Sequence, residues 1–172
     1  MSRLTRYGVA LAPSGAITAI LEGLLNAWTY DVHSTPSQLH EQSLRLREAA
    51  DDVLGKYLEQ LRQELSGLRK SLPQPTRENP YPPMDGIEAV KDLESYMKRV
   101  ERLRTSIRSA PLPARDLVWQ GRGDYALLLA QLASMDADIL RALGQLNEET
   151  LQNVEGLFED RSKLLRDSQT LP

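Results

Sequence analysis

The chain has 172 residues, 26% of them charged and 41% hydrophobic, and a formal net charge of -3. These proportions suit a chain that buries its own core, which excludes disordered and fibrous classes, and the slight negative charge gives no global pull towards nucleic acid or anionic lipid. Cysteine is absent and aromatic residues make up only 5%, so disulfides, thiol catalysis and thiolate metal sites are excluded, and aliphatic helix seams are favoured over sheets.

Arg3 and Arg6, followed by the apolar stretch from Gly8 to Trp28, have the outline of a leader or membrane anchor. Pro13, Ser14, Gly15, Glu22 and Asn26 interrupt it, so no apolar run approaches the ~20 residues a span needs. The pattern predicts a helix over 14–32 instead, with Ile17, Ile20, Leu21, Leu24, Leu25 and Trp28 on one face. The opposite face, with Ala19, Glu22, Gly23 and Asn26, carries no Lys or Arg. The reading is therefore a core or interface helix whose apolar face, Ile17, Leu21, Leu24 and Trp28, helps join the chain to a larger assembly, with membrane-surface contact as the alternative.

The next element has a sharp start. Thr35, Pro36 and Gln38 place a hydroxyl N-cap, a proline at the first helical position and a reciprocal glutamine in order. Leu54, Leu58, Leu61, Leu65, Leu68 and Leu72 then alternate in steps of four and three, the spacing of a coiled-coil seam. Pro73 ends the helix, giving a predicted rod over 36–72 whose seam needs a partner. Gly55 and Gly67 weaken it by about 1 kcal/mol each relative to alanine. His33 and His40 lie on either side of the cap without a matching Glu-x-x-His, so no metal site is read from them.

Five prolines fall between Pro73 and Pro83, which predicts a semi-rigid linker over 73–85 between an N-terminal half (1–72) and a C-terminal half (86–172). A polyproline ligand is the functional alternative, but Pro80, Pro82 and Pro83 lack a close basic flank. Asp85 and Glu88 form a capping box for a helix over 86–109 with apolar positions at Ile87, Val90, Leu93, Met97, Val100, Leu103 and Ile107. It begins acidic and ends basic, as the helix dipole prefers, and stops at Pro111 and Pro113.

A connector over 115–123 leads to Asp124, which is expected to cap a final long helix over 124–169. Leu128, Leu132, Met135, Ile139, Ala142 and Leu146 hold a three-four spacing, and Thr150, Val154, Leu157, Arg161 and Leu164 continue it from a shifted start. That shift reads as a stutter in one unbroken rod, with Gly144 and Gly156 as its weak points. Within the connector, Trp119-Gln120-Gly121 resembles the turn of the WXG family of small secreted helical hairpins, over the turn alone. Arg122-Gly123-Asp124 spells an integrin-type tripeptide. Matches of three residues carry no assignment.

Seven basic residues between Lys98 and Arg122 face only Glu101 and Asp116 in that interval. Arg99, Arg102, Arg104 and Arg108 are the candidate anion contacts. The acidic stretch from Asp136 to Asp160 predicts that these charges pair within the chain or across an oligomer. Asp51, Asp52, Asp136 and Asp138 read as solvated helix faces. No phosphate loop, nucleophile elbow or paired carboxylate set for a metal is present.

The fold expected is all-α, an elongated helical bundle or antiparallel coiled coil of four helices, two of them long. The function expected is non-enzymatic: a structural or adaptor protein, cytoplasmic, binding other proteins and favouring a homodimer, with no cofactor and no metal. Its interaction seam would be Leu54, Leu58, Leu61, Leu65, Leu68, Leu128, Leu132, Met135, Ile139 and Leu146. A nucleic-acid accessory role for the basic segment 98–122 and a membrane-surface role for 14–30 are the alternatives.

Overall fold

The computed structural model describes residues 3–27, 36–74, 76–78, 80–112 and 125–170. Among them are six helices and no strand: α1 (Arg3–Arg6), α2 (Gly15–Ala27), α3 (Pro36–Ser71), α4 (Met84–Ser109), α5 (Tyr125–Leu143) and α6 (Thr150–Thr170). No helix among the described residues is long and apolar enough to cross a membrane. The N-cap Thr35, Trp28, His33, Asp124 and the two tripeptides at 119–124 lie outside the described residues.

α3 starts at Pro36 and stops one residue before Leu72-Pro73, where its 36 residues make a rod of roughly 54 Å. It forms an antiparallel hairpin with α4, the proline-rich stretch serving as the turn. Arg69 pairs with Glu94, Arg62 with Glu101, and Arg104 and Arg108 with Asp51. The partners' numbers run in opposite directions along the two helices, which sets the register. Leu54, Leu58, Leu61, Leu65 and Leu68 are all buried inside this one chain. So are Leu46, Ala50, Val53 and Tyr57. The apolar stripe of α3 is thus wider than a two-stranded seam, because the helix is covered on two sides.

α4 begins at Met84, earlier than the capping box implied. The N–H groups of Gly86 and Ile87 bond to the carbonyl of Pro83, and no side chain caps the helix. Asp85 is drawn away to Arg3 and Arg6. The inward face of α4 is Gly86, Ala89, Leu93, Tyr96, Met97, Val100, Leu103 and Ile107, with Ile87 and Val90 only half-buried.

The expected unbroken helix over 124–169 is a second hairpin. The chain leaves the helix at Gly144, whose N–H reaches back to the carbonyls of Leu140 and Arg141. Asn147 then restarts it: its Oδ1 accepts from the N–H groups of Glu149 and Thr150, and Thr150 Oγ1 accepts from the N–H of Asn147. This reciprocal cap, with the Asn147 carbonyl accepting from the N–H of Leu151, satisfies the first donors of α6 and holds the reversal. What read as a stutter is the chain turning back on itself, with Leu146 buried in the turn.

α5 and α6 cover the open end of the α3–α4 hairpin. There Arg161 donates to Asp136 Oδ1 at 2.5 Å and to Ser43 Oγ at 2.9 Å, joining α6, α5 and α3. Asp136 is fully buried and Arg161 nearly so. The expectation that Asp136 sits on a solvated face is corrected: folding α5 against α6 turns that face inward, and Arg161 neutralises the charge it buries. Asp51 is corrected likewise, since Arg104 and Arg108 converge on its carboxylate. α2 lies between the hairpins against α3 and α5, burying Ile17 and Leu21 and leaving Leu24 and Leu25 half-buried.

Candidate functional site

The closed end of the α3–α4 hairpin combines exposed apolar side chains with a concave surface. Ser71 Oγ donates to the carbonyl of Leu68 at 2.7 Å and finishes α3. The chain then turns through prolines that cannot donate to either helix. Leu72 folds over the first turn of α4, its Cδ2 taking the space that a Cβ on Gly86 would need. A side chain at position 86 would push the Leu72 methyl aside. The result is a cleft of about 270 Å³ lined by Arg69, Leu72, Pro73, Gln74, Pro82, Ile87 and Val90. Beside it, Tyr81 is 82% exposed and Met84 69% exposed. Arg77 and Glu78, in the same proline-rich stretch, are exposed on neighbouring positions.

A second, polar cleft lies between α4 and α6 at the open end. Its volume is about 460 Å³, and Arg102, Ser106, Ser109, Glu155, Glu159, Ser162 and Arg166 line it. Two guanidiniums share it with two carboxylates, so its field is nearly balanced.

The structure divides the basic segment. Arg104 donates to Asp51 through Nε at 2.7 Å and Nη2 at 3.0 Å, and Arg108 through Nε at 2.5 Å and Nη2 at 2.8 Å. These bonds from Arg104 and then Arg108 hold the Asp51 carboxyl far below its ordinary range. The partner of these arginines is α3, not the acidic stretch 136–160 that the sequence suggested. Arg102 faces the polar cleft, and Arg99 is half-buried beside Tyr96. The four candidate anion contacts therefore do not form one patch.

The remaining seam residues are distributed through the interior. Leu128, Leu132, Ile139 and Leu146 are buried and Met135 is half-buried. Of the histidines, His40 is half-buried. Among the described residues no three His, Asp or Glu side chains are grouped to hold a metal ion.

Sequence reasoning did not find the buried tyrosine pair at the hairpin's middle. Tyr57 and Tyr96 meet edge to face with ring centroids 6.4 Å apart, and their hydroxyls lie 2.9 Å apart. Tyr57 donates to the carbonyl of Leu11 at 2.5 Å. Burial pushes the pKa of both phenols up. The signal was present, since Tyr57 lies three residues past Leu54 on the same face and Tyr96 three past Leu93.

Comparison with protein family models, with curated proteins and with solved structures finds no match to this chain.

Proposed function

We propose that this is a non-enzymatic structural or adaptor protein acting through protein–protein contact, with the closed end of the α3–α4 hairpin as its docking surface and a second copy of the chain as its partner. The observation that carries the reading is the pair Tyr81 and Met84, large and exposed beside an apolar cleft. Aromatic and methionine side chains are enriched at interfaces, the ring giving a large rigid contact area at low entropic cost and the methionine adapting its shape to the partner. Exposed apolar surface next to a concavity marks contact sites more often than chance placement does. Adjacent exposed charges of opposite sign in the same stretch, Arg77 and Glu78, suit a two-fold contact in which each copy presents the same patch. The leucine seam supports the reading only indirectly. It makes the hairpin a rigid rod that projects the tip, since its side chains are engaged within the chain.

The test is molar mass by light scattering across a dilution series. The wild-type chain is expected to pass from dimer to monomer on dilution, and a Tyr81→Ser/Met84→Ser variant to stay monomeric throughout. A wild-type monomer at every concentration would refute self-association, and a dimer that survives the double substitution would move the interface elsewhere.

A further inference from the structure

We propose that residues 3–14 are a releasable clasp on the closed half of the α3–α4 hairpin, held by a few apolar pegs and a set of solvated or half-buried polar contacts, and able to open while the hairpin stays folded. The inference rests on how this segment is attached, and it stands whether or not a second copy docks at the tip.

Two combs of side chains grip the segment. On α4, Asp85, Glu88 and Asp92 stand at i, i+3 and i+7, one face of the helix, and all three meet Arg3, at 3.2, 2.8 and 2.8 Å. Arg6 adds a contact of 3.3 Å to Asp85. On α3, Tyr57, Gln60 and Glu64 repeat the same spacing and bond to the backbone of the clasp. Glu64 accepts from the N–H of Ala10 at 3.3 Å, Gln60 accepts from the N–H of Ser14 at 2.9 Å and donates to the carbonyl of Ala12 at 2.8 Å, and Tyr57 donates to that of Leu11. Between the combs Gly8, at φ +72°, turns the chain out of α1. The segment thus makes few hydrogen bonds of its own beyond residue 9 and borrows those of the hairpin.

Leu4 and Val9 of the clasp are buried apolar pegs, and Tyr7 and Leu11 pack partly buried against the same core. The hairpin beneath supplies far more of that core, from Leu46 to Leu68 on α3 and from Ala89 to Ile107 on α4. The side chains of the Arg3 cluster are 36–44% exposed, and ion pairs of that exposure are weak and screened by salt. A unit with few buried apolar contacts and solvated polar ones opens before the core does. Opening removes the Leu11 carbonyl from Tyr57 and uncovers the tyrosine pair. It also removes the Tyr7 hydroxyl from beside Gly86 at the first turn of α4.

Amide hydrogen exchange on the full chain tests this, followed from roughly 0.01 M to 1 M salt, over which the screening length falls from about 30 Å to about 3 Å. Exchange at residues 4–14 is expected to rise about tenfold, the equivalent of losing one or two such ion pairs, while the central amides of α3 and α4 hold their protection. Arg3→Glu should reproduce the high-salt pattern at low salt, and Arg3→Lys should largely restore the native one. Clasp amides that exchange together with those of α3, at the same rate and salt response, would overturn the proposal. The salt series uses the wild-type chain, so a variant that fails to fold leaves the test intact.

Discussion

The two ends of the α3–α4 hairpin are covered by different means. At the open end, α5 and α6 lay down whole helix faces and a buried, triply anchored charge pair, Asp136 and Arg161 with Ser43. At the closed end, a dozen residues without a long helix are pinned by surface charges and borrowed hydrogen bonds. The first arrangement makes α3, α4, α5 and α6 cooperative, because removing one member strands a charge in a low-dielectric interior. The second can be lost in part, since apart from the Tyr57 hydroxyl the side chains that hold it are half-buried or exposed and within reach of water.

The largest effect that would sharpen this contrast is at the open end. Asp136→Ala leaves Arg161 buried without its carboxylate and should cost about 3–5 kcal/mol, seen as a large drop in the urea midpoint with an unchanged slope. A loss below about 1 kcal/mol would mean that water reaches Arg161 and that the two ends are not so different. Leu61→Ala, in the shared leucine core, is expected to cost about 3 kcal/mol. Leu4→Ala removes an equally buried leucine, yet should cost the global transition less, about 1–2 kcal/mol, because the clasp detaches instead of carrying the cavity into the fold. Equal costs for the two leucines would erase the comparison.

Tyr57→Phe takes one hydroxyl from between the clasp and Tyr96 and should lower stability by about 1 kcal/mol. Its signature in hydrogen exchange should be confined to residues near Leu11.

The smallest expected effect is electrostatic. The carboxyl of Asp51 is held below its unfolded value of about 3.9 by hydrogen bonds from Arg104 and Arg108. A depressed folded-state pKa stabilises the chain at pH values above the unfolded pKa and is lost as the pH falls through it towards the folded value. Asp51→Asn should therefore lower the stability at neutral pH by up to about 1 kcal/mol, read from the urea midpoint, and this difference from wild type should shrink steadily below about pH 4. Because Arg108 is 60% exposed, added salt should weaken its share of the effect.

Local chemistry made much of the helical fold readable. Proline can stand at the first position of α3 and cannot continue it past Leu72, so those boundaries are written in Pro36 and Pro73. The turn within 124–169 was harder to see because its signals are weaker. Gly144 is tolerated inside helices, and Asn147 with Thr150 is a cap only if the chain actually reverses there. The tip residues Tyr81 and Met84 were visible in sequence only as part of a linker, because exposure beside a cleft depends on Leu72 folding onto Gly86.

The amino-acid order by itself settled that this chain is helical, where α3 starts and stops, and which side chains of α3 and α4 are apolar, since propensity, capping and periodicity act over a few residues. The tertiary structure alone decided that the leucine seam is covered from within, that Asp136 and Asp51 are paired with arginines rather than solvated, and that the N-terminal residues lie across the hairpin. Those outcomes join positions 25 to 118 residues apart, and such pairings follow from how the helices are folded back on one another, which no local pattern encodes.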